Sequence, residues 1–204
     1  MIDRICEAAK RDVSRETFEK LERFAELLVE ENHRQNIISA GGMADLWNRH
    51  IVDGAQLIGL SGKGRTWCDI GSGPGLPGLV IAILGGLPMT LIEPRRLRAE
   101  FLRRTVFELG LVGVTIEEFK VERVHGKFDL ITARAVATLD RLFAMAGHLA
   151  HAGTRWILPK GERVKSELDE ARRNWQGSFE LVPSQTHEGA AIVVADRVAR
   201  RRGK

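Results

Sequence analysis

The chain has only two cysteines among its 204 residues. Cys6 and Cys68 stand far apart in unlike contexts, so neither a disulfide framework nor a metal-ligand spacing can be built from them. Cys68, between Trp67 and Asp69 in an apolar run, reads as a buried small hydrophobe. Long apolar runs are also lacking. The longest, Gly78 to Leu87, is about half of the ~20 residues a membrane span needs. The first twelve residues mix charges of both signs without an apolar core, so no secretory signal is visible. There is no internal repeat and no low-complexity segment. These absences lead to the expectation of a cytoplasmic monomer, in a reducing compartment, with no membrane or metal partner. What remains is ordinary: 44% hydrophobic and 28% charged residues exclude a disordered chain and a fibre. The length suits one large domain, or one domain with an extension.

Acid and base nearly balance, with a formal net charge of +4. The excess is local. The last eight residues hold Arg197, Arg200, Arg201, Arg202 and Lys204 and no acid. Setting these five aside from the 31 basic residues leaves 26 against 27 acids. A near-neutral body with a basic tail suggests nucleic acid as a partner, although a solubilising terminus has the same composition.

Residues 1 to about 60 read as helical. Ser14 is placed to cap a helix with Glu16 in its first turn, and Phe18, Leu21, Phe24 and Leu28 recur at helical spacing. Gly41-Gly42 ends the polar stretch from Asn32, and a second helix is expected from about Met43 to Leu60. After the turn Ser61-Gly62-Lys63-Gly64, short β-like runs alternate with helical segments. The runs are Arg65–Ile70, Met89–Glu93, Val112–Glu117, Phe128–Ala133 and Thr154–Leu158. The helical stretches are Leu79–Leu84, Arg95–Leu109, Leu139–Leu149 and Val164–Trp175. Such alternation implies right-handed crossovers and a mainly parallel, Rossmann-like α/β sheet covered on both faces. Phe179–Val182 and Ala190–Ala195 leave no room for a helix between them and should form an antiparallel hairpin at the sheet edge. The expected organisation is a helical extension over residues 1–62, an α/β domain over 63–196 and a basic tail over 197–204.

The most informative stretch is Asp69-Ile70-Gly71-Ser72-Gly73-Pro74-Gly75-Leu76-Pro77-Gly78, which leaves a strand and enters an apolar helix. Glycines here let the backbone turn sharply and let a ligand lie against bare main chain. Gly73, Gly75 and Gly78 spell the dinucleotide fingerprint G-x-G-x-x-G. Two features turn the reading away from a pyrophosphate. Asp69 at the strand end would repel it, while suiting the cationic amino acid moiety of S-adenosylmethionine. Two prolines also remove N–H donors that a phosphate cradle would use. Glu93 ends the next strand about 20 residues on, the offset of a carboxylate that accepts ribose hydroxyls. It supports a bound ribose without saying whose.

With these residues the chain resembles the class I S-adenosylmethionine methyltransferases. The ending Gly-Pro-Gly-Leu-Pro-Gly78 is similar to that of the bacterial 16S rRNA guanine N-7 methyltransferases, the RsmG or GidB family. Arg49-His50-Ile51-Val52-Asp53 resembles the family's Arg-His-Ile-Leu-Asp, Phe101-Leu102-Arg103 its Phe-Leu-Arg, Ala133-Arg134-Ala135 its Ser-Arg-Ala, and Lys160-Gly161 its Lys-Gly turn. The likeness covers about residues 15 to 195. It departs at Gly54, where the family has serine, and at Glu31-Asn32-His33 and Asn36-Ile37-Ile38-Ser39. The resemblance implies S-adenosylmethionine as cofactor and 16S rRNA or the small ribosomal subunit as partner, with guanine 527 (rRNA numbering) as the family's target. It implies that Gly71 and Leu76 lie in the cofactor loop with Asp69 and Gly73, that Glu93 holds the ribose, that Val121 and Glu122 border the adenine, and that Arg134 belongs to the cofactor pocket. Arg49, His50 and Lys160, in the matched segments, are the candidates for the RNA side.

Guanine N-7 is an unprotonated lone pair, so its methylation releases no proton and needs no general base. The six histidines show no acid–base constellation, and no catalytic residue is expected. Arg49, His50 and Asp53 share one helix face, where they serve either the substrate or a bridge onto the α/β domain. The arginines of the segment 95–104 are either a solvated face or an RNA contact. Two other functions fit a similar sheet. An NAD-dependent oxidoreductase would need a hydride-transfer pair, and none is visible. A non-catalytic RNA-binding module would not need an intact glycine loop and ribose acid.

Overall fold

A computed structural model describes residues 1–201 of the chain. Helices α1 (Ile2–Ala9), α2 (Arg15–Gln35), α3 (Ala40–Ala44) and α4 (Asp53–Ile58) precede the sheet. The Ser14 hydroxyl accepts from Thr17 N at 3.1 Å and starts α2. Asn36, in the left-handed region at φ 48°, ends it, so this helix runs past the expected break at Asn32. The helix expected from Met43 to Leu60 is not continuous. Trp47–Val52 forms a wider π-helical turn between α3 and α4. Such turns move side chains off the regular helical stripe, and they concentrate at functional positions.

The sheet has seven strands in the order β3-β2-β1-β4-β5-β7-β6. They are β1 (Trp67–Ile70), β2 (Met89–Ile92), β3 (Val114–Glu117), β4 (Phe128–Ala133), β5 (Ala150–Lys160), β6 (Trp175–Pro183) and β7 (Ala191–Arg200). The first five are parallel; β7 runs antiparallel between β5 and β6. Helices α5 (Gly78–Gly85), α6 (Arg96–Glu108), α7 (Leu139–Ala146) and α8 (Val164–Asn174) cross between strands. The strand order reverses at β1, whose neighbours are β2 and β4. In an open sheet of this kind, ligands bind outside the carboxyl ends of the strands at that point.

The two sheet faces bury separate cores. On one, Trp67, Leu91 and Leu130 pack with the apolar helix α5 and with Leu21, Phe24, Leu28 and Ile51 of the leading helices. On the other, Cys68, Ile131 and Trp156 pack with Leu142 and Phe143 of α7 and Leu168 of α8. The leading helices therefore share one continuous core with α5. The expected tail needs correction at its start. Trp175 pairs with Arg200 and Gln176 with Ala199, so residues 197–200 are the last part of β7. Arg201 follows, donating to the carbonyls of Arg172 and Trp175. The rest of the expected tail, residues 202–204, lies outside the described residues. Among those described, no helix is long and apolar enough to cross a membrane.

Candidate functional site

The glycine loop leaves β1 and is tied at once to the end of β2. Gly71 N and Ser72 N both donate to the Ile92 carbonyl, at 2.8 and 3.0 Å. Gly73 N then donates to Glu93 Oε2 at 2.9 Å, and Arg95 N to Glu93 Oε1 at 2.8 Å. The loop backbone and the acid thus form one wall of a cleft of about 340 Å³, lined by Gly71, Gly73, Leu76, Glu93, Arg98 and Arg134 among others. Gly71 and Gly73 have φ of +67° and +56°, the left-handed region that favours glycine. They differ in what surrounds them. A Cβ on Gly71 would lie 2.6 Å from Val136 Cγ2, whereas one on Gly73 would meet nothing nearer than Arg98, 3.8 Å away. Gly73 is bare because a side chain there would enter the cleft.

Asp69 does not line this cleft. It is fully buried, and its Oδ1 accepts from Thr132 Oγ1 at 2.8 Å while Oδ2 has no partner. Burial pushes its carboxyl up to about 6, against the hydrogen bonds that favour the charged form. A Cβ on Gly78 would stand 2.6 Å from Asp69 Oδ2, so the acid lies under the first turn of α5, one layer below the ligand surface. The expectation that it faces a cationic ligand is corrected accordingly. Val121 and Glu122 form a single 3₁₀ turn with Arg123. Val121 is buried in the core on the α7 side and Glu122 is exposed; neither lines the cleft.

A second and larger cavity, about 710 Å³, opens beside the first. Arg49, His50, Asp53, Arg134, Lys160 and Thr186 line it. Three of the expected substrate residues therefore meet here although more than a hundred positions separate the first from the last. The π-helical turn presents Arg49 and His50. Both ring nitrogens of His50 are buried without a hydrogen-bond partner. Burial, then the charges of Arg134 and Arg49, push the imidazole down to about 4. The neutral ring is therefore the favoured form at physiological pH. Lys160 at the end of β5 donates to the Ala137 carbonyl and to Glu167 Oε1, both at 2.7 Å. The sequence reading missed Thr186, Ser184 and His187, which the β6–β7 loop brings to this cavity, and Arg98 beside the glycine loop. Arg98 lay within the arginine-rich helix but carried no signal separating it from its neighbours. Of those neighbours, Arg96, Arg103 and Arg104 pair with Glu100, Glu118 and Glu31. Among the described residues no cluster of three or more His, Cys, Asp or Glu could hold a metal ion.

A family model described as rRNA small subunit methyltransferase G (GidB) matches residues 17–191. The chain belongs to this family. Relatives named ribosomal RNA small subunit methyltransferase G are 45% identical in Rhizorhabdus wittichii and 42% in Zymomonas mobilis, each over 91% of this chain and 88% of the relative. Among solved structures, a mutant of MtNAS in complex with S-adenosylmethionine gives a TM-score of 0.59 at 19% identity, over 87% of this chain and 74% of that one. The ribosomal protein L11 methylase of Lactobacillus delbrueckii subsp. bulgaricus gives 0.55 at 18%, over 72% and 78%. These distant likenesses show the fold alone.

Proposed function

We propose that this methyltransferase G family member transfers a methyl group from S-adenosylmethionine to N-7 of a guanine in small-subunit rRNA, the acceptor that its sequence resemblance implies. The observation that carries the reading is the adjacency of two cavities. One has a bare glycine wall and a buried carboxylate. The other is lined by cationic and neutral donors, and Arg134, Ala135 and Val136 belong to both. The first suits the cofactor. Each Glu93 oxygen already accepts one backbone N–H and retains acceptor capacity, so the carboxylate can take a vicinal diol. Gly73 leaves room against the main chain. Pro74 and Pro77 offer no N–H, which argues against a pyrophosphate and so against NAD. Bound S-adenosylmethionine supplies an electrophilic methyl group on a sulfonium.

The chain's own task is placement. The second cavity is large enough for a splayed-out base, the usual way an RNA base is presented for chemistry. Arg49 and Lys160 on its wall carry donors for such a base. Holding the base N-7 lone pair in line with the methyl carbon can supply ~7–11 kcal/mol of the barrier by proximity and orientation. The lone pair forms the new bond, the broken bond's electrons return to sulfur, and no proton leaves the ring. The domain reading proposed with it is a helical extension over 1–62 that supplies the RNA side and an α/β part that supplies the cofactor side. The test is mass mapping of modified nucleosides in small-subunit rRNA from cells with and without the gene. Loss of one 7-methylguanosine is expected; an unchanged map overturns the reading.

A further inference from the structure

The segment Arg134-Ala135-Val136 is the wall common to the two cavities. It is held in an unusual way. Ala135 has φ +57°, in the left-handed region that costs a residue with a Cβ, and such a residue persists only where its surroundings over-determine it. On the cofactor side Val136 packs over Gly71. On the other side Arg134 Nη1 donates to Asp53 Oδ2 at 3.2 Å and to the Arg49 carbonyl at 3.3 Å. Both side chains of the ion pair are mostly buried, at 22% and 15% exposure, so the pair is shielded from solvent more than a surface bridge is. The second oxygen of Asp53 faces elsewhere. Oδ1 accepts from Thr186 Oγ1 at 2.7 Å and from Gln56 Nε2 at 2.8 Å. Gln56 in turn accepts from Gln185 N at 3.1 Å. One carboxylate thereby joins three elements: α4, the loop after β4 and the β6–β7 loop.

We infer that Asp53 is a positioning residue that acts through Arg134, holding the shared wall so that the cofactor cleft and the acceptor cavity are set together. This deepens the proposed function and rests on its reading of the two cavities. The physical reason is geometric. A charged pair locks the arginine's long side chain into one rotamer at the partition, and the Thr186 bond keeps the carboxylate from following the arginine if it swings. Arg134 then presents the same face to the cofactor cleft whether or not RNA is present.

The experiment is calorimetric titration of the full-length protein with S-adenosylhomocysteine, using Asp53→Asn, Arg134→Gln, the double variant and Asp53→Glu. Asp53→Asn and Arg134→Gln are each expected to weaken binding about five- to tenfold, the range for contacting groups in one polar network. The double variant is expected to be no weaker than Arg134→Gln alone. Asp53→Glu, which changes the shape but keeps the charge, should recover most of what Asp53→Asn loses. Penalties that multiply in the double variant, or wild-type affinity in Asp53→Asn, would overturn the inference while leaving the cofactor cleft in place. A wild-type protein that does not bind S-adenosylhomocysteine would overturn the reading of the cleft, and this inference with it.

Discussion

The backbone N–H of Gly73 donates to the carboxylate of Glu93 at 2.9 Å, joining the loop after β1 to the acid after β2. Two features legible in the sequence only as neighbours at a spacing are thus one hydrogen-bonded unit. The ligand wall depends on both. Replacing Glu93 with alanine removes the acceptor for Gly73 and Arg95 as well as for a ribose. S-adenosylhomocysteine affinity should fall by about 1–3 kcal/mol, the cost of leaving polar groups unpaired. Calorimetric titration reads this, and an unchanged dissociation constant would remove Glu93 from the site.

Gly73 and Gly78 should respond in opposite ways. Alanine at Gly73 meets only ordinary contacts, with Arg98 at 3.8 Å and the Gly71 carbonyl at 3.9 Å, so the stability cost is the ~1–2 kcal/mol of a left-handed residue, while ligand binding suffers. Alanine at Gly78 is driven into Leu91 and the Asp69 carboxylate, so the fold itself should lose about 3 kcal/mol, the upper end of the usual cost of overpacking a core. Melting temperature and ligand affinity, measured together, separate the two. Equal melting temperatures for both variants would contradict the packing.

Asp69 and His50 make stability depend on pH with opposite signs. The Asp69 carboxyl is raised from 3.8 to about 6, so the contribution of its neutral form is complete below 3.8 and is lost as pH rises through about 6. The His50 ring is lowered from 6.5 to about 4, so its contribution is complete above 6.5 and is lost as pH falls through about 4. Asp69→Asn should therefore gain melting temperature relative to the parent as pH rises from about 4 to about 6. A difference that stays constant over that range would mean the carboxyl is not raised.

With N-7 as acceptor, the methyl-transfer step should be nearly flat from about pH 7 to about pH 9, because transfer to an unprotonated lone pair requires no side chain to change protonation. His50 titrates well below that window. Single-turnover methylation of small-subunit rRNA measures it. A rise with a midpoint near the ordinary histidine value would indicate a working base, and an amine or hydroxyl acceptor in place of N-7.

Truncation should distinguish strand from tail. Ending the chain after Arg201 removes Arg202 and Lys204. Cofactor affinity should be unchanged, and the salt slope of RNA binding should fall by at most ~0.9 for each phosphate that these two residues neutralise. Ending it before Arg197 strips the pairing of Trp175 and Gln176 with β7 and should lower the melting temperature. Truncations of equal stability would place no weight on that pairing.

Much of this was legible along the chain. The turn after β1 and the acid after β2 could be read as features because a tight turn at positive φ needs glycine and a strand-end acid is visible in a short stretch. Strand–helix alternation is a local pattern, and so is the Ser14 cap, so both could be read directly. The wide turn at Trp47–Val52 could not, since its apolar spacing is that of an ordinary helix. Nor could the true place of Asp69: whether a strand-end acid points out or under depends on the helix packed above it, here the first turn of α5.

By itself, then, the sequence determined the sheet, the glycine wall and the family, because each rests on short-range backbone demands or on motifs read within a few residues. Tertiary structure alone decided which side chains share a cavity. Arg49, Arg134, Lys160 and Thr186 come from four separate elements and meet only when β4, β5 and the β6–β7 loop close against the leading helices. No local pattern encodes that meeting, because the contacts that create it, Asp53 with Arg134 and with Thr186, span 81 and 133 positions of chain.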